Sequence, residues 1–281
     1  MPLLPAIIPG VHDPHAASVL QPNWERAQVR LHIGLVVCPL VVVVVAATLV
    51  AITAAVGDFR EWTLLAIAGS ALPAAILLAV VRKKVTAPHT WLLMAILGGA
   101  GQVILGVIPA VAASLPAAPA VSTAGLVLEG ALVVSGCVLS YRAMRTLLWP
   151  LRPELGRTAF TITLRARIQG PGLLAGTVLI TRDGIEMRAT SRRLAGGRSH
   201  AWFRLDAEQL AGARPDTLPA AAGNYPWLRL SSGAMVTARP GPIVVLAARG
   251  GEHILPVNEA TACAELLQHR IGTWRGATGS R

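Results

Sequence analysis

The chain has 281 residues, 53% of them hydrophobic and only 14% charged, a balance that excludes an ordinary water-soluble domain. Its net charge is +11, carried almost wholly by arginine, with Lys83 and Lys84 the only lysines. No aromatic platform or recognition helix accompanies the arginines, so no nucleic-acid partner is expected.

The basic excess has two readings. One is the positive-inside bias of a membrane protein with an arginine-rich cytoplasmic face. The other is contact with anionic lipid head groups. Arginine over lysine, with abundant Ala and Gly, points to a GC-rich bacterial genome. Cys38, Cys137 and Cys263 make no CxxC pair, so neither a disulfide framework nor a zinc site is expected.

Residues 1–30 read as a cytoplasmic lead-in. MPLLPAIIPG carries three prolines and no basic n-region, so it is not a signal peptide. WERAQVR (24–30) forms the cytoplasmic foot of the first span, with room for a short interfacial helix. His12 and His15 in HDPH are two histidines on a loop, too few for a metal site.

Four apolar runs follow, at about 31–56, 62–81, 89–113 and 119–141, and make 31–149 a four-helix transmembrane domain. Pro39 and Pro73 fall inside spans and bend them. Residues 57–61 (GDFRE) form a polar turn. Arg26 and Arg30 precede the first span, Arg82, Lys83 and Lys84 follow the second, and Arg142, Arg145, Arg152 and Arg157 follow the fourth. The other two links carry only Arg60. That alternation predicts both termini in the cytoplasm.

The fourth span, PAVSTAGLVLEGALVVSGCVLSY, carries Glu129 near its middle. A carboxylate at bilayer depth is expensive and needs protein or water beside it. Ser122, Gly125, Glu129, Gly136 and Ser140 step by three, four, seven and four, so they share one helical face. Ala95, Gly99, Gln102 and Gly106 in the third span form a second such stripe. Small residues allow close helix approach and polar ones bond across, and Glu129 and Gln102 are the expected partners. The stripe reads either as a packing seam with a protonated, hydrogen-bonded Glu129, or as a proton or cation relay.

Beyond Pro150 the period changes to that of strands. Residues 160–164, 177–181, 185–188, 201–205, 225–230, 234–238, 243–247 and 253–257 read as strands. Arg182-Asp183-Gly184 turns a hairpin. Asn258 caps a helix over 259–274. Residues 210–223, rich in Ala, Gly and Pro, read as a loop. Arg188, Arg192, Arg193 and Arg198 crowd a mobile basic loop, a candidate contact for anionic lipid.

TVLITRDGIEMR, AWFRLDAEQLAGA, IVVLAARGGEHILPV and NEATACAELLQHRI, in that order, resemble the bacterial pleckstrin-homology-like domains attached to small actinobacterial membrane proteins. The resemblance covers residues 158–274 and rests on the Thr-x-Asp-Gly hairpin, a Trp-bearing strand and the C-terminal helix. It implies a role in binding lipid or protein, or in self-assembly, and brings no catalytic residue.

The expected architecture is a bundle of four transmembrane helices followed by a mostly-β cytoplasmic domain over 150–281, a PH-like barrel or sandwich with a C-terminal helix. The expected function is non-enzymatic. The bundle anchors a binding or assembly module at the inner membrane face, with membrane lipid, a protein partner or a second copy as its partner and no cofactor. The alternative is a small transport or channel protein using Glu129 and Gln102.

Overall fold

The computed structural model describes residues 4–11, 13–56, 61–192, 197–222 and 225–278. The chain divides into two compact units, residues 1–7 with 21–147 and residues 8–20 with 148–281.

The N-terminal region is helical. α1 (Pro14–His32) continues through a π turn (Ile33–Val37) into α2 (Cys38–Ala55), and α3 (Leu64–Lys84) follows. α4 (Trp91–Gln102) continues through a second π turn (Val103–Val107) into α5 (Ile108–Ser114), and α6 (Pro119–Leu148) completes the set. Among the described residues four stretches are long and apolar enough to cross a membrane: Pro14–Ala55, Leu64–Lys84, Pro88–Ser114 and Pro119–Leu148.

Both π turns have one cause. Each ends two residues before a proline, Pro39 or Pro109. A proline ring has no N–H and presses on the carbonyl four residues back, here Leu35 or Leu105. Widening the helix at that carbonyl relieves the clash.

Ala46, Leu49, Val50, Ala66 and Ala110 form a core cluster inside the bundle. Val44, Leu65, Leu97, Ile104, Val127 and Val134 point outward and stay exposed. That much outward apolar surface suits lipid rather than water.

The lead-in differs from expectation. It is helical from Pro14, with Pro22 inside α1, and residues 8–20 belong to the C-terminal unit. There the Ala159 N–H donates to the Pro9 carbonyl (3.3 Å), and Asp13 pairs with Arg157. The polar link at 57–60 and His12 lie outside the described residues.

The C-terminal part is mostly β. Its strands are β1 (Ile162–Arg165), β2 (Ile168–Gln169), β3 (Leu173–Ile180), β4 (Gly184–Arg192), β5 (Arg198–Asp206), β6 (Leu210–Leu218), β7 (Tyr225–Arg229), β8 (Met235–Ala238), β9 (Gly241–Ala248) and β10 (Gly251–Leu255). They form three antiparallel sheets, ordered β1-β3-β4-β5, β10-β9-β6 and β2-β8-β7. Helix α7 (Ala260–Thr278) closes the unit, burying Cys263, Ala264, Leu266, Leu267, Arg270 and Ile271. Burial, helped by the nearby Glu259 charge, pushes the Cys263 thiol up to about 12.

The expected loop at 210–223 is instead largely β6, paired with β9 from Leu210↔Ala248 to Leu218↔Gly241. Ala, Gly, Arg and Asp have little strand preference of their own, and the ladder offered by the Ile-Val-Val-Leu run of β9 overrides it. Pro215 is tolerated because β6 is an outer strand.

Candidate functional site

The membrane stripe is buried along its length. Ser122, Gly125, Glu129, Gly136 and Ser140 on α6 are all buried, as are Ala95, Gly99 and Gln102 on α4 and Gly106 in the following π turn. Gly136 and Gly106 mark close backbone approaches, whereas Gly99 and Gly125 receive the side chains of Val133 and Leu49. A Cβ on Gly34 would lie 3.0 Å from the Gly136 carbonyl, and one on Gly136 would lie 2.9 Å from the Gly34 carbonyl. Ser122 Oγ donates to Ser114 Oγ (2.8 Å) and closes the end of the α5–α6 connection.

Gln102 and Glu129 are not hydrogen-bonded to each other. The Gln102 amide donates to the Pro39 carbonyl (2.9 Å) and to the Ser70 carbonyl (3.2 Å). It therefore ties α4 to both α2 and α3, worth about 0.6–2 kcal/mol per bond in a membrane bundle. Both acceptors are main-chain carbonyls of the neighbouring helices, Pro39 of α2 and Ser70 of α3, the latter where Gly106 abuts Ser70. A polar side chain near mid-span is visible in the sequence at Gln102, but its two backbone partners lie 63 and 32 residues away.

Glu129 is fully buried, and neither carboxylate oxygen has a hydrogen-bond partner among the described residues. One turn earlier Gly125 abuts Leu49 of α2; one turn later Val133 abuts Gly99 of α4. A cavity of about 10 Å³ lies beside Gln102, lined in part by Gly34, Cys38, Val133 and Gly136. That is room for about one water.

The basic cluster is also arranged differently from expectation. Arg188 and Arg192 lie on β4 and Arg198 on β5, so they sit on paired strands rather than a loop; Arg193 lies outside the described residues. Register aligns them with residues that sequence spacing alone did not group. Arg165, Thr177, Arg188 and Trp202 cross the sheet in one row, and Leu173, Arg192 and Arg198 in another. All of these but Thr177 are exposed, Trp202 to 59% and Leu173 to 68%, so two large apolar groups stand among the arginines. The carboxylates on this face include Asp206 and Glu186, the latter engaging Arg188 (2.5 Å) and Arg204 (3.8 Å). Arg204 also meets Asp206 (2.8 Å). Arg165, Arg192 and Arg198 have no carboxylate partner among the described residues. Arg165 and Trp202 were missed because they lie 23 and 10 positions from Arg188 and Arg192 in sequence, and only strand pairing brings them together.

On β6 Arg214 contacts Asp216 (2.8 Å) and Glu252 of β10 (3.4 Å). Hydrogen bonds to both carboxylates push the Arg214 guanidinium up, and the Thr217 N–H followed by Arg214 draws Asp216 down. Among the described residues no group of three His, Cys, Asp or Glu side chains is placed to hold a metal ion. Comparison with protein-family models, with curated proteins and with solved structures finds no match to this chain.

Proposed function

We propose that this chain is a bacterial integral membrane protein that acts by binding rather than catalysis. Its helical bundle anchors a pleckstrin-homology-like module at the cytoplasmic face, where the β1-β3-β4-β5 sheet meets anionic lipid head groups. The observation that carries the reading is the row-aligned basic face, with Arg165, Arg192 and Arg198 without a carboxylate partner among the described residues and Trp202 exposed beside them. An interfacial Trp among arginines suits a headgroup layer. Three antiparallel sheets closed by one C-terminal helix support the domain type. Residues 8–20 and 148–281 sharing one compact unit support placing both ends of the chain on one side.

The test uses the full chain in lipid nanodiscs. Amide exchange over residues 184–206 should slow in discs containing anionic phosphatidylglycerol relative to neutral discs, and the difference should shrink at high salt. The double variant Arg192→Ala/Arg198→Ala should weaken the association by about 2 kcal/mol, roughly thirtyfold, at about 1 kcal/mol per basic residue. Identical exchange in both discs rejects the reading.

A second reading rests on a different observation, the two unpartnered oxygens of buried Glu129. Under it the bundle passes protons or cations. Proteoliposomes of the parent should then show a flux that Glu129→Gln abolishes; an unchanged flux, or none in the parent, removes this reading. Gln102, bonded to two backbone carbonyls, contributes to it only as scaffold.

A further inference from the structure

β5 is an outer strand, paired with β4 on one side only. In an antiparallel pair alternate residues turn their N–H and C=O away from the partner strand. Bonds at both ends of β5 identify that outward set. The His200 carbonyl accepts from the Ser231 N–H (2.8 Å) and the His200 N–H donates to Ser231 Oγ (3.2 Å). The Asp206 N–H donates to Gln209 Oε1 (3.1 Å). Trp202 and Arg204 fall between them in the same phase. Their main-chain N–H and C=O groups have no partner among the described residues.

Trp202 borders a groove of about 330 Å³ whose lining also includes Phe203, Tyr225, Trp227, Arg229 and Glu252, and Arg204 lies two residues further along the same edge. Its walls are braced. The Trp227 indole donates to the Ile254 carbonyl (3.1 Å), and the Phe203 and His253 rings lie 5.1 Å apart. Glu252 is engaged by Arg214, whereas Arg229 has no carboxylate partner among the described residues.

An exposed strand edge is a template for another strand. A second copy pairing there edge to edge would set two arginine-rich sheet faces side by side, a like-charge arrangement. A peptide bearing an apolar side chain for the aromatic groove and an acidic one for Arg229 is complementary instead. We propose that an extended, acidic peptide segment of a partner protein adds to this edge as a fifth strand beside Trp202 and Arg204. This site adjoins the headgroup-binding face and shares Trp202 with it, but it uses the main chain of the edge, so it stands or falls on its own measurement.

The full chain in neutral nanodiscs is panned against a displayed library of random linear peptides. An enriched peptide is then synthesised and its affinity measured. Arg204→Ala removes the side chain and keeps the N–H. Arg204→Pro removes the outward N–H, which an edge strand tolerates because its fold does not use it. Affinity should fall at least about tenfold more in Arg204→Pro than in Arg204→Ala, the value of roughly one hydrogen bond. N-methylation along the peptide should weaken binding at every second residue with the protein unaltered. That scan alone decides if Arg204→Pro disturbs the sheet. No peptide enriched over empty discs, equal affinities for the two variants, or no alternation in the scan overturns the proposal. So does a parent that is dimeric while Arg204→Pro is monomeric, which assigns the edge to a second copy.

Discussion

Gly106→Leu is expected to break the helical bundle, while Gly130→Ala leaves it intact. A Cβ at Gly106 would lie 2.5 Å from Ser70 Cβ and 2.6 Å from the Ser70 amide nitrogen, and one at Gly69 would fall on the Leu105 carbonyl. The obstacles are backbone, so α3 and the Val103–Val107 turn must separate. The Gln102–Ser70 bond, four residues along from Gly106, is then lost as well. Overpacking a tight core costs about 1–3 kcal/mol and occasionally more, and a backbone obstacle places this case at about 3 kcal/mol or above. At Gly130 nothing lies within 4 Å of the added Cβ, so alanine there should be neutral or gain up to about 1 kcal/mol of helix propensity. The measurement is the fraction of monodisperse protein surviving a heating series in detergent. Equal survival of the two variants would refute the close approach of α3 to the Val103–Val107 turn.

Arg270→Ala should be strongly destabilising although it removes a buried charge. The Arg270 side chain is buried to 2% exposure, and its guanidinium donates to the Leu155 carbonyl (3.2 Å) and the Phe160 carbonyl (2.9 Å). It thereby joins α7 to the segment leading into β1. Burial draws its pKa down to about 10, so it remains charged at neutral pH. For a base, a folded pKa below the unfolded one means that burial of the charge opposes folding at every pH below about 10. That opposition eases as pH rises from about 10 toward the ordinary arginine value. Truncation removes this opposition but also removes a stem worth about 0.8 kcal/mol per buried CH₂ and two charge-assisted bonds of about 1.5–3 kcal/mol each. The losses are larger, and a net destabilisation of about 2–4 kcal/mol is expected. Amide exchange over residues 260–275 reads it directly, and Arg270→Lys should recover only part, since one ammonium lacks the guanidinium fork. Unchanged exchange in Arg270→Ala would mean that the two carbonyl bonds contribute nothing.

These two residues illustrate what can be read from a one-dimensional chain. Gly106 lay on a stripe visible from helical spacing, and its burial follows from that spacing. Which glycines touch backbone and which face open space does not, because contact depends on the neighbouring helix. Gly130 and Gly106 are both intramembrane glycines in sequence and opposites in structure. Arg270 carried no signal beyond its place on α7; its partners are backbone carbonyls more than a hundred residues earlier. β6 was hidden for a related reason. Its Ala-Gly-Ala-Arg-Pro-Asp-Thr text has no strand preference of its own and becomes a strand only because β9 lies beside it.

The sequence by itself determined the elements whose cause is local or compositional. Four helices long and apolar enough to cross a membrane follow from hydropathy over about twenty residues. The Asp-Gly hairpin follows from turn chemistry, the C-terminal helix from its apolar period, and the buried face of α6 from steps of three and four. Tertiary structure alone decided the pairings. Gln102 is bonded to Pro39 and Ser70 rather than to Glu129, because the packing of α4 against α2 and α3 puts those two carbonyls within its reach. Arg165, Arg188 and Trp202 form one row, because strand register brings together residues far apart in sequence. Trp202 and Arg204 are left with open main-chain groups, because the sheet ends at β5. Such facts depend on which chain segments become neighbours, and no window along the chain contains both members of a pair.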